Sequence, residues 1–511
     1  MITAEQPRTR QDTVWIAALA VAVIVRVWDL GRLSFSMDEV WELQIANAPW
    51  GDIHKIEDGF PPLFHYILKA LQSLGAPDSA ARWLTSAAGL VAIYVVYRLG
   101  NALDSSRMPR LGLIAATVMA WMPLHVHISR EGRVYSLAVL AAAVAMWATW
   151  ELTRHDREPR TWSWGVYGLA VLAGLWLHYG LAALALILAP FTFVYSRDRR
   201  RWWLTHAAVA ALTLPLIFPV LGDLASDPLA PPEFGFPQLG YTAKTLLFGF
   251  ALGPSSRALH TISVGEAIRQ SAGWIVVLTP AVGYLTYRSW HAFEPAVRRF
   301  LLILLVAGLA ATAGLILVGG VGFQVRYFAW LLIPIAIWVG GALTQLTRPT
   351  ALALAVCVVA VVASIGGREL ADAHRTEDAV AVAEYLSQSG QQPAFALSWY
   401  TANPVNYYLT PEAFLPLEDP DLYDRVLGPR NKSGQAVRPL STGSRETDTT
   451  ERLLALIDED TQPGDQYFFL YARPFHGDPD GTFLAVLTTR DRLELVFEAT
   501  GYEVYSGIRA E

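Results

Sequence analysis

The sequence predicts a polytopic α-helical membrane protein of about eleven transmembrane helices that ends in a soluble α/β domain, and three observations carry this. Hydrophobic residues make up 53% of the 511-residue chain and charged residues only 16%, a balance unlike that of soluble globular proteins. The apolar residues come in blocks of about 17 to 20, the length a helix needs to cross a hydrocarbon core about 30 Å thick. After about residue 368 the composition turns abruptly to mixed polar and apolar.

The expected spans are 13–31, 82–99, 111–125, 134–152, 162–178, 180–196, 203–221, 273–288, 300–318, 328–345 and 350–366. The first follows Arg8 and Arg10 as a signal peptide would. No small-residue cleavage site follows it and many apolar blocks do, so an uncleaved span is expected. Short connections on the N-terminal side hold the dense arginine clusters, such as Arg197, Arg199, Arg200 and Arg201, while the longer opposite segments are poorer in basic residues. The positive-inside rule then puts the N-terminus in the cytoplasm, and an odd span count puts the C-terminal domain outside the cell or plasma membrane. The chain divides into a membrane module, 1–368, with outer loops 32–81 and 222–272, and an extracytoplasmic domain, 369–511.

In the first loop, helical spacing from Pro62 to Leu74 is too brief to span and predicts a helix at the interface. The second loop carries Pro228, Pro231, Pro232, Pro237 and Pro254, which suits a semi-ordered cover over a cavity. In the C-terminal domain, Glu377 to Ser389 predicts a helix stopped by Gly390, and Phe395–Trp399, Tyr467–Tyr471 and Tyr502–Ile508 predict strands. The polar stretch 428–450 predicts a mobile loop, and Asn431-Lys432-Ser433 within it matches a glycosylation acceptor. A net charge of −6 gives no case for nucleic acid, and the single cysteine, Cys357, excludes internal disulfides and reads as packing.

Charged groups near the bilayer are expensive and mark function, and here they gather on the outer side in three clusters. The first is Ser36-Met37-Asp38-Glu39, whose acids either cap the following helix or do chemistry. The second is His125-Val126-His127-Ile128-Ser129-Arg130-Glu131-Gly132-Arg133-Val134-Tyr135, where Arg130 and Arg133 would share a helix face and grip one phosphate, or snorkel, or pair with Glu131. The third is Arg326-Tyr327, an anion contact or part of an aromatic belt. His178 and Tyr179, between spans with almost no loop, could hydrogen-bond a ligand at the same face.

In this order, together with Asp58-Gly59-Phe60-Pro61-Pro62-Leu63 and Arg82-Trp83-Leu84, the clusters resemble the GT-C superfamily of membrane glycosyltransferases, in particular the protein mannosyltransferase and aminoarabinose transferase branch, over roughly residues 26–335. The resemblance implies a polyprenyl-phosphate sugar donor and an extracytoplasmic acceptor that is a lipid, glycan or protein. It makes Asp38 the catalytic acid residue of the first loop, with Glu39 and Asp58 in support, and places Arg133 and Arg326 near the donor phosphate. Lys55, His65, Arg130, Tyr135, His178, Tyr179 and Tyr327 complete the candidate substrate contacts. Phe60 departs from the histidine or asparagine frequent before the paired prolines. A divalent cation, Mg or Mn, on Asp38, Glu39 and Asp58 is admitted but not required.

The chemistry explains why so few residues suffice. An acceptor hydroxyl needs a base as its bond forms, worth typically about 10²- to 10⁴-fold. The leaving lipid phosphate needs fixed positive charge rather than a proton. One base opposite the leaving group predicts inversion, by analogy with inverting hydrolases. The competing classes are a transporter or lipid flippase and a noncatalytic glycan-binding membrane protein. Plain Ala, Leu and Val in the middle of most spans disfavour a transporter, which places broken or charged helices there.

Overall fold

The computed structural model of the protein describes residues 10–345 and 377–510, except 29, 32–33, 56–59, 104–107, 109, 155–161, 227–234, 251–252, 255–261, 320–322, 391, 410–436, 442–448, 475–477 and 479. The chain opens with α1 (Arg10–Val27). The connection that follows folds into α2 (Met37–Asn47), a 3-10 turn (Ile53–Lys55) and α3 (Leu63–Ser73). With 11 residues, α3 is only about 16 Å long, too short to cross, as its spacing predicts. Gly75, at φ +77°, supplies the left-handed residue that turns the chain into α4 (Ala80–Leu103).

Next come α5 (Leu111–Trp121) and α6 (Pro123–Arg130), bent from each other by 64°. The expected span 111–125 is broken here for a local reason: Pro123 pushes Met122 into an extended conformation, ψ 120°, and ends α5 there. Small residues let α4 and α5 close up, so that a Cβ on Gly100 would sit 2.6 Å from Gly112 Cα. The helical part continues through α7 (Tyr135–Thr153), α8 (Ser163–Leu177), α9 (Leu181–Tyr195), α10 (Arg199–Ser226), α11 (Phe236–Phe248) and α12 (Val264–Ala292). It ends with α13 (Pro295–Leu302), a π-turn (Ile303–Ala307), α14 (Gly308–Gly319), a 3-10 segment (Val325–Leu331) and α15 (Leu332–Thr344).

By length and composition, four helical stretches among the described residues can cross a membrane: Ala80–Leu103, Tyr135–Thr153, Pro295–Val318 and Val325–Thr344, with a fifth if α5 and α6 count as one. The expected count of about eleven is therefore not reached by this criterion. Helices α8 and α9 have 15 residues each, about 22 Å, and the expected span 350–366 lies outside the described residues together with Cys357.

Residues 377–510 form a five-stranded sheet, β1 (Ala394–Ser398), β2 (Val437–Ser441), β3 (Gln466–Tyr471), β4 (Glu494–Ala499) and β5 (Tyr502–Ile508), in the order β2-β1-β3-β5-β4. β1 runs parallel to β2 and β3, and β5 antiparallel to β3 and β4. All five residues of β1 are buried, because both faces of the sheet are covered. Ala394, Ala396, Phe468 and Leu470 pack on α16 (Ala379–Gln388) and α17 (Trp399–Leu409), while Phe395, Leu397, Tyr467 and Phe469 pack on α18 (Thr450–Asp460) and α19 (Thr482–Asp491). The strand at 437–441 corrects the expectation of a loop throughout 428–450; Asn431 lies outside the described residues.

This unit is fastened to α2 and the residues just before it by hydrogen bonds. Gln44 on α2 and Asn403 on α17 exchange side-chain amide bonds at 3.1 and 3.0 Å. The Phe35 N–H donates to Tyr408 Oη at 2.7 Å and Ser34 Oγ to Asp378 at 3.2 Å. Helix α2 and the residues before it are thus tied directly to the sheet unit.

Candidate active site

Helix α2 begins at Ser36 in a reciprocal capping box. Ser36 Oγ accepts from the Glu39 N–H, and Glu39 Oε2 accepts from the Ser36 N–H at 2.9 Å. The cap fixes the first turn, and the rotation of about 100° per residue sends its two acids to different partners. Asp38 faces outward with 41% of its side chain exposed, its Oδ2 lying 3.0 Å from Arg133 Nη1 and 3.2 Å from Arg326 Nη1. Its Oδ1 meets no protein donor among the described residues. Glu39 points inward, where Arg82 grips both its oxygens at 2.6 and 2.7 Å and the Gly132 N–H donates to Oε1 at 2.7 Å.

The two arginines come from distant segments, Arg133 just before α7 and Arg326, 288 residues from Asp38, in the 3-10 segment. Each has a second carboxylate. Arg133 Nε lies 2.9 Å from Glu42 and Arg326 Nη1 lies 3.1 Å from Glu131. Glu42, one turn past Asp38 on the same face of α2, also meets His65 Nε2 at 2.6 Å. Tyr135 lies under both guanidinium groups, with the Arg133 and Arg326 carbons 5.7 and 5.5 Å from its ring centre. Burial alone would raise Asp38, but Arg133, Arg326 and Arg473 outweigh it and hold its carboxyl down to about 2. Glu131 is raised above the ordinary glutamate range by burial, against the pull of Arg326 and Arg133.

Beside Arg326 lies a small cleft lined by Tyr135, Ala138, Val139, His178, Leu181, Tyr327, Ala329 and Trp330. His178 sits among aromatic rings, its centroid 5.6 Å from Tyr135, 5.4 Å from Phe60 and 5.1 Å from Tyr327.

The structure therefore brings together Asp38, Arg133, Arg326, Tyr135, His178 and Tyr327. It turns others away. Arg130 does not share a face with Arg133, because α6 stops at Arg130 and Glu131 is extended. Arg130 instead donates to the Val25 and Arg26 carbonyls at the end of α1. His65 is buried on Glu42, and Tyr179 lies half-buried at the turn into α9 without lining the cleft. Lys55 ends the 3-10 turn with its side chain outside what is described, and Asp58 lies outside the described residues altogether. Among the described residues no group of three or more His, Cys, Asp or Glu side chains could hold a metal ion, and Glu39's oxygens are occupied by Arg82, Ser36 and Gly132. Glu42 and Trp330 are the members that sequence reasoning misses. Glu42 carried a signal, four residues after Asp38 on one helix face; Trp330 reads in sequence as an ordinary interfacial aromatic.

Residues 60–222 match the model of the family described as dolichyl-phosphate-mannose-protein mannosyltransferase, a segment that includes Arg133 and His178 but neither Asp38 nor Arg326. No curated protein matches the sequence. Among solved structures, ArnT from Cupriavidus metallidurans in the apo state is similar over 97% of this chain and 98% of its own, at 14% identity and a TM-score of 0.54. The same protein bound to undecaprenyl phosphate is similar over 97% of each chain, at 14% identity and a TM-score of 0.52. The chain thus shares the fold of ArnT, and its residues 60–222 are similar to the mannosyltransferase family model.

Proposed function

We propose that the chain is a multi-pass glycosyltransferase of the cytoplasmic membrane that moves a sugar from a polyprenyl-phosphate donor to an extracytoplasmic lipid, glycan or protein acceptor, with inversion at the sugar carbon. One observation carries this reading: a part-exposed carboxylate and two arginines, brought from three separate segments, converge beside an open cleft. The undecaprenyl phosphate bound by ArnT supports the choice of carrier. The N-terminus lies in the cytoplasm and residues 369–511 lie outside.

In this mechanism the acceptor oxygen attacks the anomeric carbon as Asp38 Oδ1 takes its proton. The bond from that carbon to the phosphate oxygen breaks, its electron pair stays on the phosphate, and Arg133 and Arg326 stabilise the resulting charge. Asp38 held at about 2 is a weak base. The donor phosphate competes for the same two guanidinium groups, and as they turn toward it Asp38 gains basicity. The donor therefore activates the base, and proton acceptance is confined to the loaded site.

Two expected results follow. With the donor as varied substrate, the acid limb of kcat lies at higher pH than that of kcat/KM, because kcat reports the loaded enzyme and kcat/KM the free one; coincident limbs would count against release of Asp38 by the donor. Arg133→Ala raises the donor's dissociation constant roughly 10- to 100-fold, the range of a hydrogen bond to a charged group, and leaves acceptor binding nearly unchanged. Equal losses for both substrates would remove Arg133 from the phosphate. The reading as a whole is tested by incubating purified protein with a panel of polyprenyl-phosphate sugars plus membrane extract as acceptor. Consumption of one donor with release of free polyprenyl phosphate is expected, and inertness toward every donor sinks it.

A further inference from the structure

We infer that His178 and Trp330 are uncharged hydrogen-bond donors to the oxygens of a polyprenyl phosphate seated in the cleft beside Arg326. The inference rests on the transferase reading above and assigns residues to its donor site.

His178 follows α8, and its Nδ1 accepts the Gly180 backbone N–H at 2.9 Å. An imidazole nitrogen that accepts carries no proton, so the ring is neutral and its one proton is on Nε2. The arrangement depends on the glycine, since a Cβ at Gly180 would stand 2.8 Å from that same Nδ1. Nε2 is buried and meets no acceptor among the described residues, and the same holds for Nε1 of Trp330. Both residues line the cleft, and they are only 6% and 2% exposed.

Buried N–H groups without acceptors are destabilising and uncommon, so two on one small cleft need an explanation. A ligand bringing oxygen acceptors provides it. The remaining walls narrow the ligand's chemistry: Ala138, Val139, Leu181 and Ala329 offer hydrocarbon, Tyr135 and Tyr327 add aromatic rings, and none of them adds charge. An anionic head joined to an apolar chain fits both halves, and inorganic phosphate fits only one. Arg326 already contacts Asp38 and Glu131, so neutral donors add affinity for phosphate oxygens without adding charge to a site already crowded with it. They also hold the phosphate while Asp38 and the arginines exchange partners.

The test titrates full-length protein in detergent with a polyprenyl phosphate lacking sugar, read by native mass spectrometry, with melting temperature as a check on folding. Wild type binds. His178→Ala and Trp330→Phe each weaken binding roughly tenfold, while His178→Gln, which keeps an N–H donor, recovers most of it. The matching polyprenol responds to none of these changes, and millimolar inorganic phosphate does not displace the lipid. Wild-type affinity in both His178→Ala and Trp330→Phe, displacement by inorganic phosphate, or no binding by wild type each overturns the proposal. Binding that depends on both N–H groups in a protein that transfers no sugar keeps this site and removes the transferase reading. Sugar transfer with unchanged binding in both variants does the reverse.

Discussion

Replacing Asp38 by asparagine abolishes sugar transfer, lowering kcat by at least about 10²-fold and toward 10⁴-fold, while the protein still folds and still binds donor. Asparagine has nearly the shape of aspartate and keeps a carbonyl oxygen for one guanidinium, so α2 loses no packing. The arginines are not left stranded either, because Glu42 remains 2.9 Å from Arg133 and Glu131 3.1 Å from Arg326. What disappears is the proton acceptor and the anion that competes with the donor phosphate. The variant should therefore separate the two kinetic constants, with kcat collapsing and donor affinity equal to wild type or tighter. Near-normal turnover would remove Asp38 from its role. A fall in donor affinity that matches the fall in rate would make Asp38 a part of the donor's seat instead.

Much of this site was legible in sequence because the ends of the apolar blocks did the sorting. Asp38, Arg133 and Arg326 all fall at or just beyond such ends, where charges have few places to go. Direction within an element was not legible. Asp38 and Glu39 are neighbours of like chemistry, and only the turn of the helix parts them, one to the arginine pair and the other to Arg82. Arg130 and Arg133 read as one face until the helix proves to end between them. The strand at 437–441 was hidden because Arg438 and Pro439 belong to an edge strand, where a missing N–H costs little. His178 was already a candidate ligand contact by its place between two apolar blocks, whereas Trp330 escapes a residue-by-residue reading, since its significance lies in an acceptor that is absent from its surroundings. The count of about eleven is not reached by the length criterion among the described residues, because hydrophobic length is not helical length, as at the bend before Pro123.

The second large effect is on stability, and it falls on Glu39 and Arg82. Arg82, at the start of α4, holds both oxygens of Glu39, donates to the Ser34 carbonyl at 2.8 Å and the Leu30 carbonyl at 3.3 Å, and stacks 4.5 Å from the Phe35 ring. Glu39 in turn receives the Gly132 N–H. One buried ion pair thus ties together the end of the first span, the cap of α2 and the turn that presents Arg133. Arg82→Ala leaves that carboxylate buried without its counter-ion, and the expected loss is about 3–5 kcal/mol, measured as a lower melting temperature in detergent. Burial pushes Glu39 up, but Arg82 and the Gly132 and Ser36 N–H groups outweigh it and hold it below the ordinary glutamate value of 4.5. A depressed folded value means that this contribution is complete above about pH 4.5 and is lost as pH falls through the lower folded value. Wild type should lose melting temperature over that acid interval, and Arg82→Ala should lose less. Glu39→Gln separates structure from chemistry: a lower melting temperature with kcat of the folded fraction within a few-fold of wild type makes Glu39 a brace for the cap. An unchanged melting temperature with kcat down about 10²-fold or more would move proton acceptance from Asp38 to its neighbour.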